Sequence, residues 1–118
     1  MKQGIVLFAH GSRDPEWSRP FERIAASLTE KLPAACIGLA YLEHGPSLEE
    51  TFAALVAKGV GSIRVVPVFL GQGGHVREDL PRLVSQAARP GLQVVLEKPI
   101  GERPEVIAAI ASAISGLR

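Results

Sequence analysis

Four short apolar runs alternate along this chain with helical stripes, and that alternation limits the fold more than any other feature. The runs cover residues 4–9 (Gly-Ile-Val-Leu-Phe-Ala), 37–42 (Ile-Gly-Leu-Ala-Tyr-Leu), 63–70 and 92–96. Each is too short for a buried helix and suits a strand covered on both faces, as in a parallel sheet. Between and after them, apolar residues recur at helical spacing: Phe21, Ile24, Ala25, Leu28 and Leu32; Leu48, Phe52, Leu55 and Val56; Leu80, Leu83, Val84 and Ala87; Val106, Ile107, Ile110, Ala111 and Ile114. Strand and helix repeated with short connections predict an α/β three-layer sandwich with a mostly parallel four-stranded sheet. At this size the flavodoxin-like strand order 2-1-3-4 is the expectation, with residues 1–118 as one domain.

Local signals place the element ends. Pro15 and Pro20 both lie near the start of the first helix, and either suits its first turn. Ser47 and Glu50 form a capping-box pattern ahead of the second helix, and Gly59 stops it. Pro67 has no amide proton for a ladder, so pairing of the third strand is expected to break or bulge there. The segment Gly71-Gln-Gly-Gly-His75 reads as loop, Pro81 as part of the first turn of the third helix, and Pro104 as the first residue of a last helix ended by Gly116.

Composition removes several function classes. Apolar residues are 47% and charged residues 21% of the chain, which provides a core and argues against disorder. The formal charge of +1, with the basic residues scattered, argues against a nucleic-acid binder. No stretch reaches the ~20 apolar residues of a membrane span. Met1-Lys2 run directly into the first strand without a secretory apolar region, and the single Cys36 suits a reducing cytoplasm as a packing residue. With one Cys and one Met, sulfur-rich metal sites are excluded.

In open α/β sheets the site forms beyond the carboxyl ends of the strands, where strand order reverses. Under order 2-1-3-4 that point lies between strands one and three. His10 follows strand one directly, and His75 follows strand three by a glycine-rich loop. Neighbouring strands lie ~4.8 Å apart, so two imidazoles from adjacent ends can share one ion. Glu43 and His44 close strand two on the same rim; His44 is equally read as a flank of Glu43. Imidazole suits first-row divalent ions, and two histidines with one carboxylate leave positions open for an ion that must later leave. Gly71, Gly73 and Gly74 suit a backbone that approaches a large flat ligand or turns through positive φ. Arg13 and Arg77, just past the two histidines, suit ligand carboxylates, and Trp17 either walls a pocket or covers the first helix.

Three segments carry a resemblance. Phe-Ala-His-Gly-Ser-Arg-Asp-Pro (8–15), Tyr-Leu-Glu (41–43) with Pro-Ser-Leu-Glu-Glu (46–50), and Val-Pro-Val-Phe-Leu-Gly-Gln-Gly-Gly-His-Val-Arg-Glu-Asp-Leu-Pro (66–81) resemble the small sirohydrochlorin cobaltochelatases. These are short class II tetrapyrrole chelatases, related to the sirohydrochlorin ferrochelatases. The resemblance spans nearly the whole chain. It implies that His10 and His75 are the metal-binding and catalytic histidines, with Glu43 as the acidic member. It also implies a divalent metal (Co²⁺, with Fe²⁺ or Ni²⁺ also suited) as substrate, no organic cofactor, a tetrapyrrole partner and a homodimer. Gly101-Glu-Arg103-Pro104 departs from the family pattern Gly-x-His-Pro by carrying arginine.

On that basis His10 and His75 hold the ion on one face of the macrocycle while the two pyrrole N–H protons leave, and Glu43 orients a histidine or relays protons. Leu42, Phe69 and Leu70 cover the ring; Arg13 and Arg77 meet its acidic substituents, and Gly73 and Gly74 allow close approach. Two other readings use the same residues. A non-catalytic metal or tetrapyrrole carrier binds without turnover. A phosphoryl-transfer enzyme uses the helix N-terminus after His10-Gly11, but histidine phosphatases carry Arg where this chain has Ala9.

Overall fold

The structure, a computed structural model, describes residues 2–71 and 73–117, with His75 described by its backbone alone. The elements run β1 (Lys2–Ala9), α1 (Pro15–Lys31), β2 (Cys36–Tyr41), α2 (Leu48–Ala57), β3 (Val60–Pro67), α3 (Gly74–Ala87), β4 (Gln93–Leu96), a 3-10 turn (Ile100–Glu102) and α4 (Pro104–Ser115). The four strands form one sheet in the order β2-β1-β3-β4, every pair parallel. The flavodoxin-like order read from the sequence is therefore the observed one.

Strand alternation sorts the side chains onto two faces. Val6 and Phe8 of β1, Ala40 of β2, and Ile63 and Val65 of β3 pack with Leu48, Phe52 and Leu55 of α2 and Leu80 and Ala87 of α3 as the main core. Thr51 Oγ1 donates to the Leu39 carbonyl at 2.8 Å and ties α2 to β2. The opposite face carries Ile5, Leu7 and Ala9, all buried, and is covered over β1 and β2 by α1. There Trp17 lies 4.7 Å from Phe21 and 6.2 Å from Tyr41, ring centre to ring centre. Trp17 thus joins α1 to β2. Cys36 is half-buried against the core at the amino end of β2, the packing role expected of it.

Most local signals hold. Asp14 caps α1 and accepts from the Glu16 amide, which makes Pro15 the first helical residue and leaves Pro20 inside the helix. The Ser47–Glu50 capping box is complete, Gly59 follows the last turn of α2, and Gly116 caps α4. Three boundaries differ. β3 stops at Pro67 rather than Leu70; Pro67 keeps its register opposite Phe8, and the irregular step lies at Lys2/Gln3. α3 begins at Gly74, so the backbone of His75 is helical and not loop. Pro81 consequently falls roughly two turns into α3 rather than in its first turn. Gly73 is the N-cap of α3 and makes no side-chain hydrogen bond, so this helix opens without the polar capping signal that marks α1 and α2.

A candidate site on the carboxyl edge of the sheet

The parallel register brings the end of β1 beside the end of β2. Beyond the last paired residues, Ala9 and Tyr41, the ladder continues through Leu42 N–H to the Ala9 carbonyl (3.0 Å) and Glu43 N–H to the His10 carbonyl (2.9 Å). These bonds fix His10 and Glu43 on the adjacent extensions of β1 and β2, with His10 Nε2 3.9 Å from Glu43 Oε2. Both side chains are more than half exposed, at 54% and 61%. At that exposure the contact is worth at most about 1 kcal/mol, so neither group is locked by the other.

Gly11 makes this approach possible. Its φ is +94°, and a Cβ there would lie 1.9 Å from the Glu43 carbonyl oxygen. No other residue type can occupy the position while the His10 and Glu43 strands stay together. The sequence signal for it was present as His-Gly directly after a strand, but periodicity says nothing about which backbone it faces.

β3 ends next to the same point, since Val68 N–H donates to the Phe8 carbonyl at 2.8 Å. From there Phe69, Leu70 and Gly71 lead toward Gly73 and the start of α3, where His75 sits. The imidazole of His75 lies outside the described residues. Among the described residues, no three His, Cys, Asp or Glu side chains gather into a metal cage.

The other site candidates separate into those near the edge and those turned elsewhere. Leu42 (37% exposed) and Leu70 (74% exposed) present apolar surface at the rim. Phe69 is half-buried and meets Phe8 edge-on at 6.2 Å, so it supports the rim from within the core margin. Gly73 and Gly74 have open space around them, and neither takes positive φ; the turn reading of these glycines therefore falls. Arg13 is exposed just beyond His10. Arg77 instead lines a separate cleft of about 350 Å³ with Leu80, Pro81, Glu97, Lys98 and Glu102. His44 takes a left-handed backbone (φ 58°) and borders a small recess with Asp14 and Trp17. Arg103 reaches Glu97 at 3.9 Å, the carboxylate that also holds Arg64 at 2.9 Å.

Sequence reasoning missed an apolar recess of about 190 Å³ beside the His10–Glu43 edge. Phe8, Tyr41, Leu42, Leu48 and Leu83 are among the residues that line it. Leu48 and Leu83 had read simply as helix-stripe residues, and nothing in their spacing marks an opening. Burial, and secondarily the Glu22 carboxylate, hold the Tyr41 phenol above the usual value of 10.0.

The comparisons agree on one family. The CbiX family model matches residues 4–117. A sirohydrochlorin cobaltochelatase of Methanosarcina acetivorans is 34% identical over 85 residues, 71% of this chain and 65% of that protein. The crystal structure of a CbiX protein from Marinobacter aquaeolei VT8 superposes with a TM-score of 0.84 at 34% identity, covering 96% of this chain and 94% of that one. The sirohydrochlorin chelatase SirB of Bacillus subtilis subspecies spizizenii, solved in complex with cobalt, gives a TM-score of 0.84 at 29% identity over 99% of this chain but 51% of its own. The chain thus spans less than two thirds of the first curated relatives it matches, and about half of SirB.

Proposed function

The chain belongs to the CbiX family, and from that premise we propose that it inserts Co²⁺, or Fe²⁺ through the same ligands, into sirohydrochlorin or a closely related tetrapyrrole. The observation that carries this reading is the exposed His10–Glu43 pair at 3.9 Å on the carboxyl edge, with the end of β3 hydrogen-bonded alongside. Imidazole and carboxylate are ligands that first-row divalent ions accept in common. Because the pair is solvated and loosely held, it can take a hydrated ion and also release it.

In this reading His10 and His75 hold the ion on one side of the macrocycle. The metal forms bonds to the ring nitrogens as two pyrrole N–H bonds break, and two protons leave. Glu43 is next to His10 and takes up a proton or steadies the imidazole. The recess walled by Leu42, Leu48 and Leu83, with Leu70 on the rim, offers apolar cover to the ring. Arg13 and, through backbone approach, Gly73 and Gly74 receive the ring's edge; Arg77 and Phe69 act more remotely, from the neighbouring cleft and the core margin. The SirB chain that holds cobalt is about twice as long as this one, so two copies of this chain, as a homodimer, supply what one longer chain supplies there. No helix among the described residues is long and apolar enough to cross a membrane; with its lone half-buried cysteine, a cytoplasmic setting is part of the same proposal.

The test is metalation itself. Sirohydrochlorin with Co²⁺ or Fe²⁺ changes its absorbance on insertion, and turnover beyond one equivalent separates catalysis from stoichiometric carriage. Removing a group that both binds metal and moves protons is expected to cost ~10²–10⁴ in rate for His10→Ala and for His75→Ala. Imidazole must be neutral to bind metal, so the wild-type rate falls toward acid pH. Wild-type rates from both variants would sink the proposal.

A further inference from the structure

Charge is divided unequally along the carboxyl edge. Residues 32–57, which include β2 and α2, contain no lysine or arginine, and their carboxylates at this edge are Glu43, Glu49 and Glu50. Beyond β3 and β4 the balance reverses. Arg77 of α3 and Lys98 after β4 line the cleft of about 350 Å³, and Arg64 and Arg103 stand beside it on Glu97.

Glu97 does not neutralise this group. Its side chain is mostly buried, and its two oxygens face Arg64 at 2.9 Å and Arg103 at 3.9 Å. One carboxylate thus serves two guanidiniums. Among the described residues neither Arg77 nor Lys98 is ion-paired, and Glu102, the other acid of the lining, stands outside ion-pair distance of both. Four bases around two acids leave the cleft cationic.

The walls of the cleft are stiff and joined to the metal rim. Pro81 of α3 and the buried Pro99 both line it, and each ring fixes its backbone φ. Gly101 N–H donates to the Phe69 carbonyl at 2.9 Å, and a Cβ on Gly101 would lie 2.4 Å from Leu70 Cα. The 3-10 turn therefore rests on the backbone that carries Leu70, the exposed apolar residue of the rim. β1, β3 and β4 are successive neighbours in the sheet, so the end of β4 lies roughly 10 Å, two strand spacings, from the end of β1 and His10. A tetrapyrrole with its centre at His10 carries its carboxylate arms at about that reach. Toward β2 those arms would meet Glu43, Glu49 and Glu50; toward β4 they meet cationic donors, which make the stronger, charge-assisted hydrogen bonds.

We propose that the Arg77–Lys98 cleft is a carboxylate subsite, which receives an acidic arm of the tetrapyrrole and so fixes which way round the ring lies on the His10 edge. The proposal rests on the chelatase reading above. Arg77 and Lys98 meet the arm. Glu97 is a positioning residue: it keeps Arg64 and Arg103 at the cleft margin, where their charge adds to the attraction. The acidic β2–α2 side of the edge is left to the incoming cation.

Binding of metal-free sirohydrochlorin, read from the change in its fluorescence, tests the subsite without metal or turnover. Arg77→Glu and Lys98→Glu are each expected to weaken binding by at least about tenfold, the loss of one hydrogen bond to a charged group. Lys98→Arg should retain it, and Lys58→Glu, on the opposite rim, should leave it unchanged. Fully methyl-esterified sirohydrochlorin has uncharged arms, so wild type and the two glutamate variants are expected to bind it equally. In the metalation assay the same variants should raise KM for the tetrapyrrole and leave KM for Co²⁺ as it was. Unchanged affinity in both variants, or a loss that the ester shares, would overturn the subsite and leave the chelatase reading standing. Binding without metalation would overturn the chelatase reading alone, and a wild-type chain that binds no sirohydrochlorin would overturn both.

Discussion

On one side of the sheet α2 and α3 bury Leu48, Phe52, Leu55, Leu80 and Ala87; α1, on the other side, has no buried residue, and neither has α4, which packs on the 3-10 turn. The same strands supply both faces, and β1 is buried toward both through Val6 and Phe8 one way and Ile5 and Leu7 the other. The difference therefore lies in the helices. The α2–α3 side is complete within one chain, whereas the α1 side is complete over β1 and β2 and open over β3 and β4. Stability of the monomer should consequently rest on the first side, and association on the second.

The strongest way to break that comparison is a pair of truncations. Phe52 is fully buried among β1, β2 and β3, so Phe52→Ala is expected to cost ~3–5 kcal/mol, a large part of a small domain's total. Ile114→Ala, by contrast, should leave the denaturation midpoint of the dilute chain nearly unchanged and lower it only where copies associate. Chemical denaturation at two protein concentrations reads both. Equal losses at low concentration would mean that the α1 side is not open.

The edge shared by the two faces gives the next largest effect. Gly11→Ala places a Cβ against the Glu43 carbonyl at positive φ, which costs ~1–2 kcal/mol for the backbone conformation alone and more for the overlap. The local chain must move to relieve it, so metalation should fall further than stability. A variant with normal turnover would show that His10 and Glu43 need not be held together.

These regions were unequally legible in the sequence. Four apolar runs between helical stripes carried the sheet and its parallel pairing, because burial on both faces writes itself into residues 4–9, although in β3 only the face of Ile63, Val65 and Pro67 is buried. His10 and Glu43 were legible because strand ends and turn formers mark one rim. Gly11 and Gly101 were not, since each answers to a backbone segment distant in sequence: Glu43 for one, Leu70 for the other. Pro81 misled because proline is most at home in a first turn, although packing of Leu80 holds it deeper in α3. The stripe of α4 was correctly periodic, but periodicity shows that a face is apolar and not which molecule covers it.

A smaller effect sharpens the α2 side. The Ser47–Glu50 box closes the amino end of α2 with reciprocal bonds of 3.1 Å, directly after the Glu43 rim. Ser47→Ala is expected to cost ~1 kcal/mol by thermal or chemical denaturation, with turnover per folded molecule preserved. A matching drop in turnover would make the cap part of the site rather than of the fold.

The finest test concerns the covered part of the α1 side, where Trp17 lies over Tyr41. Burial first, and the Glu22 carboxylate second, raise the phenol above its usual 10.0. A phenol whose folded pKa exceeds its unfolded value stabilises the fold fully below about 10, and that contribution is lost as pH rises through the folded value. Tyr41 is the sole tyrosine, so near-ultraviolet titration of phenolate reports it alone. The midpoint should lie above 10 and move back toward it in Trp17→Ala, with a smaller return in Glu22→Gln. A wild-type midpoint at 10 or below would mean that α1 does not cover β2, and the open region of that side would then extend across the whole sheet.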